Sequence, residues 1–118
     1  METATYDPNG LLAGEKPILQ RAIVLSSGQN LKRGAVLGRI TATDEYVLSL
    51  TASNDGSEVP AGVLAIDCDA TAADKNTTAF FSGEFNAAKL VFGTGHTAAT
   101  VEAAFRKAGL PMAVRTLP

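Results

Sequence analysis

The chain has one cysteine and one histidine, so any thiol or imidazole chemistry must run through Cys68 and His96. Cys68 stands between two carboxylates in the stretch GVLAIDCDAT, residues 62–71. A cysteine nucleophile works as the thiolate and needs a base to form it. His96 lies 28 residues downstream, so only the fold could bring the two together. The flanking Asp67 and Asp69 oppose activation, because negative neighbours disfavour a further negative charge. If the stretch is one strand, Asp67 and Asp69 share a face and Cys68 turns the other way, toward a core with Leu64 and Ile66. The reading that follows is a buried, inert thiol.

The same two aspartates could form a metal or acid–base pair. Two carboxylates without a further oxygen cluster are weak ligands, and a strand end followed by TAADKN accounts for them as solvated turn formers. A second candidate is VFGTGHT, residues 91–97, where a strand, glycines and a helix start follow one another. That layout can cradle an anion on free backbone N–H groups. GTGHT has neither the third glycine of a dinucleotide fingerprint nor the Gly-Lys-Ser/Thr of a phosphate loop. It therefore reads as a structural β-to-α connection, with His96 as a surface or capping residue. The adjacent cations Lys32 and Arg33 read as a solvated turn, with a small interaction patch as the alternative. No local set of nucleophile, base and oxyanion donor appears, and the sequence implies no catalytic residue, no metal and no cofactor.

The elements that would position these residues are short. PILQRAIVLSSGQ has the aliphatic, β-branched texture of a strand closed by turn residues. In LKRGAVLGRITATDEYVLSLT, Gly34 and Gly38 punctuate apolar pieces, as at bulges and barrel corners. SNDGSE is a strong turn, AGVLAIDCDA a buried strand, TAADKN a loop, TTAFFSGEFN a strand broken near Gly83, and AAKLVFG another short strand. The clearest helix follows. Thr97 caps it, and Val101, Ala104, Phe105 and Ala108 fall on one face. Arg106 and Lys107 sit in its last turn, and Gly109 and Pro111 stop it. MAVRTL can return as an edge strand. The fold class is mainly β: a small barrel-like domain of short, Gly-punctuated strands with one C-terminal helix.

A chain of 118 residues fits one domain. It is 46% hydrophobic, but alanine supplies 20 residues and aromatics only 6%, so its core is thin and association with further copies would help it. The net charge of -2 comes without runs of either sign, which argues against nucleic acid as a partner. No stretch approaches the ~20 apolar residues of a membrane span, and METATYDPNG lacks the features of a secretory signal. The expectation is a soluble protein made in a cytoplasm. A lone cysteine excludes an intramolecular disulfide. Residues 1–15 show neither strand nor helix period and read as a flexible, extended N-terminal arm; residues 16–118 read as a single mainly-β domain.

In this order and spacing, EVPAGVLAIDCDAT (58–71), TTAFFSGEFN (77–86) and TVEAAFRKAG (100–109) resemble the lambda-type bacteriophage head decoration proteins. The likeness covers roughly residues 20–118, behind a polar arm such as that family also has. The chain has no tryptophan, so residues 90–92 would fill the place of that family's tryptophan-bearing stretch. The resemblance implies a β-clip-like domain that forms a homotrimer on the outside of the viral head, at local threefold axes. It implies a structural protein of the virion rather than an enzyme, whose partner is the major capsid protein. It also implies that the arm bridges capsid subunits and strengthens the expanded head against internal DNA pressure. On that reading Tyr6, Pro8, Leu11 and Leu12 make the apolar capsid contacts, with Pro17 and Ile18 at the junction with the domain. The contrasting reading is a small β-barrel ligand-binding domain or enzyme that uses GTGHT and Asp67.

Overall fold

Three adjacent pairs set the architecture: Val36 and Leu37, Val63 and Leu64, Ala79 and Phe80. All six side chains are buried. Successive residues of a strand point to opposite faces. Val36, Val63 and Phe80 join one apolar cluster, whereas Leu37, Leu64 and Ala79 join another. The strands that carry these pairs are thus covered on both sides, which is why their apolar residues run on rather than alternate.

The computed structural model describes residues 19–115. The expected arm, with Tyr6, Pro8, Leu11, Leu12, Pro17 and Ile18, lies outside the described residues. Within them nine strands and one helix follow in order: β1 (Gln20–Leu25), β2 (Gln29–Leu31), β3 (Val36–Arg39), β4 (Tyr46–Leu48), β5 (Pro60–Leu64), β6 (Cys68–Ala70), β7 (Lys75–Phe80), β8 (Gly83–Asn86), α1 (Ala98–Lys107) and β9 (Met112–Arg115). A closed barrel runs β1-β4-β3-β5-β7 and returns to β1. β1 and β7 pair antiparallel along their whole length, from Gln20↔Phe80 to Leu25↔Lys75. By contrast β1 meets β4 at a single parallel pair, Leu25↔Tyr46. β2 and β6 form a two-stranded ribbon, and β8 and β9 pair in parallel.

The mainly-β class, the barrel and the C-terminal helix agree with the sequence expectation. So does the irregularity at Gly38, where the β3–β5 register shifts between Leu37 and Gly38. A Cβ at Gly38 would collide with the Ser57 carbonyl oxygen, so a side chain is excluded by close approach of another backbone segment.

The helix follows its local signals. Thr97 and Thr100 form a reciprocal capping box. Val101 and Phe105 bury their side chains against Phe85, Leu90, Met112 and Val114. Burial of a side chain the size of Phe105 contributes roughly 1.5–3 kcal/mol. Gly109, with φ of 74°, supplies the left-handed stop. Ala108 departs from the expected apolar stripe: it is the exposed C-cap just beyond α1.

Three expectations need correction. The strand expected through Ile66 and Cys68 ends at Leu64, and Ile66 is exposed. The chain bends there because the Asp67 carboxylate turns back to the Arg33 backbone; pairing resumes at Cys68 with β2. The loop expected over TAADKN is shorter, since Lys75 and Asn76 continue the β1–β7 ladder. AAKLVFG is not a strand. Ala87–Lys89 form a 3₁₀ turn whose start is capped by the Asn86 side chain, accepting from the Ala88 N–H at 3.1 Å. Only Val91 pairs, in an isolated parallel bridge with Ala35. Leu90 is buried and Phe92 packs against the same cluster, so two of residues 90–92 fill core space.

Candidate functional site

Cys68 is half-buried and packs against the barrel cluster that contains Leu64. Its expected neighbour Ile66 is turned to solvent, so Cys68 faces the core without lying inside it. Asp67 accepts the Arg33 backbone N–H at 2.7 Å and lies 3.9 Å from the Lys32 ammonium. Arg33 in turn reaches the Ala65 carbonyl at 3.1 Å and lies over the Phe80 ring. The Lys32–Arg33 turn and the Asp67 bend hold each other in place. Asp69 accepts both the backbone N–H and the hydroxyl of Thr71, at 3.0 and 2.6 Å. These bonds, the hydroxyl first, hold its carboxyl below the usual range. Asp55 is lowered in the same way by Ser57. Each carboxylate is thus occupied in closing a turn.

His96 has a more specific place than the sequence indicated. The ring is half-buried and joins three segments. Nε2 lies 3.0 Å from the Glu58 carbonyl oxygen and 3.2 Å from Ser49 Oγ, and Nδ1 lies 3.1 Å from Thr100 Oγ1. A carbonyl can only accept, so Nε2 carries a proton and donates it to Glu58. The Ser49–His96 contact has the atoms of a nucleophile–base pair, but its hydrogen bonds run the wrong way. Ser49 is fully buried and its hydroxyl donates to the Ser57 carbonyl at 2.7 Å, while Nε2–H is spent on Glu58. The ring therefore pins α1 to the segment leading into β5.

The glycines of GTGHT serve the same packing. A Cβ at Gly93 would overlap the Ser49 carbonyl, and one at Gly95 would overlap the Thr51 side chain. The Thr51 N–H donates to the Thr94 carbonyl at 3.2 Å, fixing the turn against the end of β4. The turn is structural, as expected, but it leads into α1 from the isolated Val91 bridge rather than from a strand. A shallow groove of about 420 Å³ opens beside His96, lined by Glu58, Val59, Pro60, Ala104, Lys107 and Ala108. Asp67 is not among its lining residues, so the groove does not join the two groups of the contrasting ligand-binding reading.

A second cleft, of about 370 Å³, lies between β1 and the tip of the β3–β4 hairpin. Arg21, Ala22, Ile23 and Val24 form one wall; Arg39, Asp44, Tyr46 and Phe81 complete it. Arg39 pairs with Asp44. Tyr46 packs edge-on against Phe81, and its burial pushes its hydroxyl above the usual tyrosine range. No local pattern reports this cleft, because it arises where β1 and β4 separate beyond their single pair. Among the described residues no group of three or more His, Cys, Asp or Glu could hold a metal ion, and no helix is long and apolar enough to cross a membrane.

The chain matches a family model described as bacteriophage lambda head decoration protein D, over residues 2–110. No curated protein matches it.

Proposed function

The chain belongs to the bacteriophage lambda head decoration protein D family, and we propose on that premise that it is a structural protein of the outer head surface. It binds as a homotrimer at local threefold axes, on the major capsid protein, and stabilises the expanded head against internal DNA pressure. It is made in the host cytoplasm and joins the virion there. The family match carries this reading, and it begins at residue 2, so it includes the segment read as an arm.

The mechanism is multivalent. Tyr6, Pro8, Leu11 and Leu12 contact the capsid, and Pro17 and Ile18 join the arm to the domain. An extended segment added to a sheet edge gains main-chain hydrogen bonds, with side chains giving specificity. Ordering it costs on the order of 1–2 kcal/mol per residue, so one arm binds weakly. Three arms on one trimer make the later contacts intramolecular and raise avidity by roughly 10²–10⁴. The domain's role is to hold three arms at a fixed spacing. The internal engagement of His96, Ser49, Asp67 and Asp69 fits a scaffold rather than a reaction centre.

The test is removal of residues 1–15 followed by mixing with undecorated expanded heads. The truncated protein should lose most of its binding while keeping its trimeric mass in solution. Undiminished binding would overturn the arm mechanism, and a monomeric mass for the full chain would overturn the avidity argument.

A further inference from the structure

β1 is paired on one side only for most of its length. Phe81 N–H donates to the Leu19 carbonyl at 2.8 Å, which places the main-chain groups of Leu19 and, by alternation, Arg21, Ile23 and Leu25 toward β7. Those of Gln20, Ala22 and Val24 point the other way. On that side β4 meets β1 only at the Leu25↔Tyr46 pair, with Ser26 N–H donating to the Tyr46 carbonyl at 2.9 Å. Gln20 and Ala22 therefore present their outward backbone groups to no strand among the described residues. Gln20, Arg21 and Ala22 are exposed, and the second cleft runs along the edge from Arg21 to Val24.

An open strand edge invites pairing, and proteins commonly block one with charged side chains, proline or a bulge. The segment QRAIV has no proline or bulge and a single charge, Arg21, and its ladder with β7 is regular. We infer that this open edge of β1 is a strand-addition site for an extended, acidic segment of a capsid protein. The length is short: the outward groups of Gln20 and Ala22 span a partner strand of about three residues at ~3.3 Å each, ending where β4 takes over at Val24. The charge fits. Arg39 is neutralised by Asp44, whereas Arg21 has no ion-pair partner among the described residues, so the cleft retains one uncompensated cation. The Tyr46 and Phe81 rings give an apolar side chain of the incoming strand a surface to cover. The inference rests on the capsid-binding reading and adds a contact made by the folded domain, independent of the arm.

Hydrogen exchange of the peptide covering β1 should be compared for the full chain free and bound to undecorated heads. The Gln20 and Ala22 amides should slow on binding. Ala22→Pro removes one outward donor and leaves the β7 ladder intact; loss of one or two main-chain hydrogen bonds should weaken binding about tenfold. Arg21→Glu leaves the backbone untouched and should weaken binding through charge, so the test survives if the proline variant does not fold. Unchanged exchange with unchanged affinity in both variants would overturn the inference while leaving capsid binding in place. No binding by the full chain would overturn both. Faster exchange at these amides in free protein lacking residues 1–15 would show that the chain's own arm occupies the edge, which also overturns it.

Discussion

The residues that first suggest chemistry are held by structural bonds. His96 carries the most of them, since its ring serves a carbonyl, a buried serine and a helix-capping threonine. His96→Ala should leave these polar groups short of a partner and cost about 1–3 kcal/mol in urea denaturation. A change within a few tenths of a kcal/mol would show that the ring does not join these segments. At Asp69 the hydroxyl of Thr71 is the leading cause of the lowered carboxyl. Thr71→Ala should raise it toward the ordinary carboxyl range, read from carboxyl carbon shifts in an NMR titration. A carboxyl lowered by folding contributes stability above its unfolded range, and that contribution is lost as pH falls through the folded value. The variant should therefore lose less stability than the parent on acidification below about pH 4. Of this residue-level picture, the turn-forming roles of Asp67 and Asp69 were legible in the sequence. The contacts of His96 with Ser49 and Glu58 were not, because they join residues 47 and 38 positions apart.

At the scale of elements, legibility follows the range of the determining forces. The α1 boundaries were readable because a cap, an apolar period and a glycine stop act within a dozen residues. Thr97→Ala should cost about 1 kcal/mol through the cap. Phe105→Ala should cost about 3–5 kcal/mol through the cavity it leaves. Both are measurable by chemical denaturation, and a smaller loss for Phe105→Ala than for Thr97→Ala would contradict the packing described. The strands were readable as short apolar pieces, but their ends were set by partners distant in sequence. β5 stops where Asp67 reaches Arg33, and β7 starts early because β1 offers a ladder down to Lys75. AAKLVFG misled because its alternation suits a strand, while Asn86 capping and the demand for Leu90 in the core favour a 3₁₀ turn. The bulge at Gly38 was legible from glycine inside a strand pattern. Gly38→Ala should abolish folding or shift the melting temperature down by many degrees, since a Cβ there would overlap the Ser57 backbone.

For the whole molecule, small side chains explain the division of the interior. Two clusters share β3, β5 and β7, and the barrel cluster consists of aliphatic residues with alanine at three of its seven buried positions. The phenylalanines Phe80, Phe85 and Phe105 lie in the other cluster, under α1. A barrel whose fully buried positions are filled by small aliphatic side chains gains from association, which agrees with a proposed trimer seated on a shell. The family was legible from the order of three segments across the chain, and the match over residues 2–110 bears that out. The geometry of attachment was not, because binding surfaces on a scaffold carry no local sequence pattern comparable to a catalytic motif.

The central claim is that this chain decorates the outside of a phage head, and electron cryomicroscopy of undecorated expanded heads mixed with saturating protein tests it most directly. Three copies of the domain are expected at each local threefold axis on the outer surface, with the segment before Leu19 running onto neighbouring capsid subunits. Heads that emerge bare, or protein bound only at other positions on the shell, would contradict it.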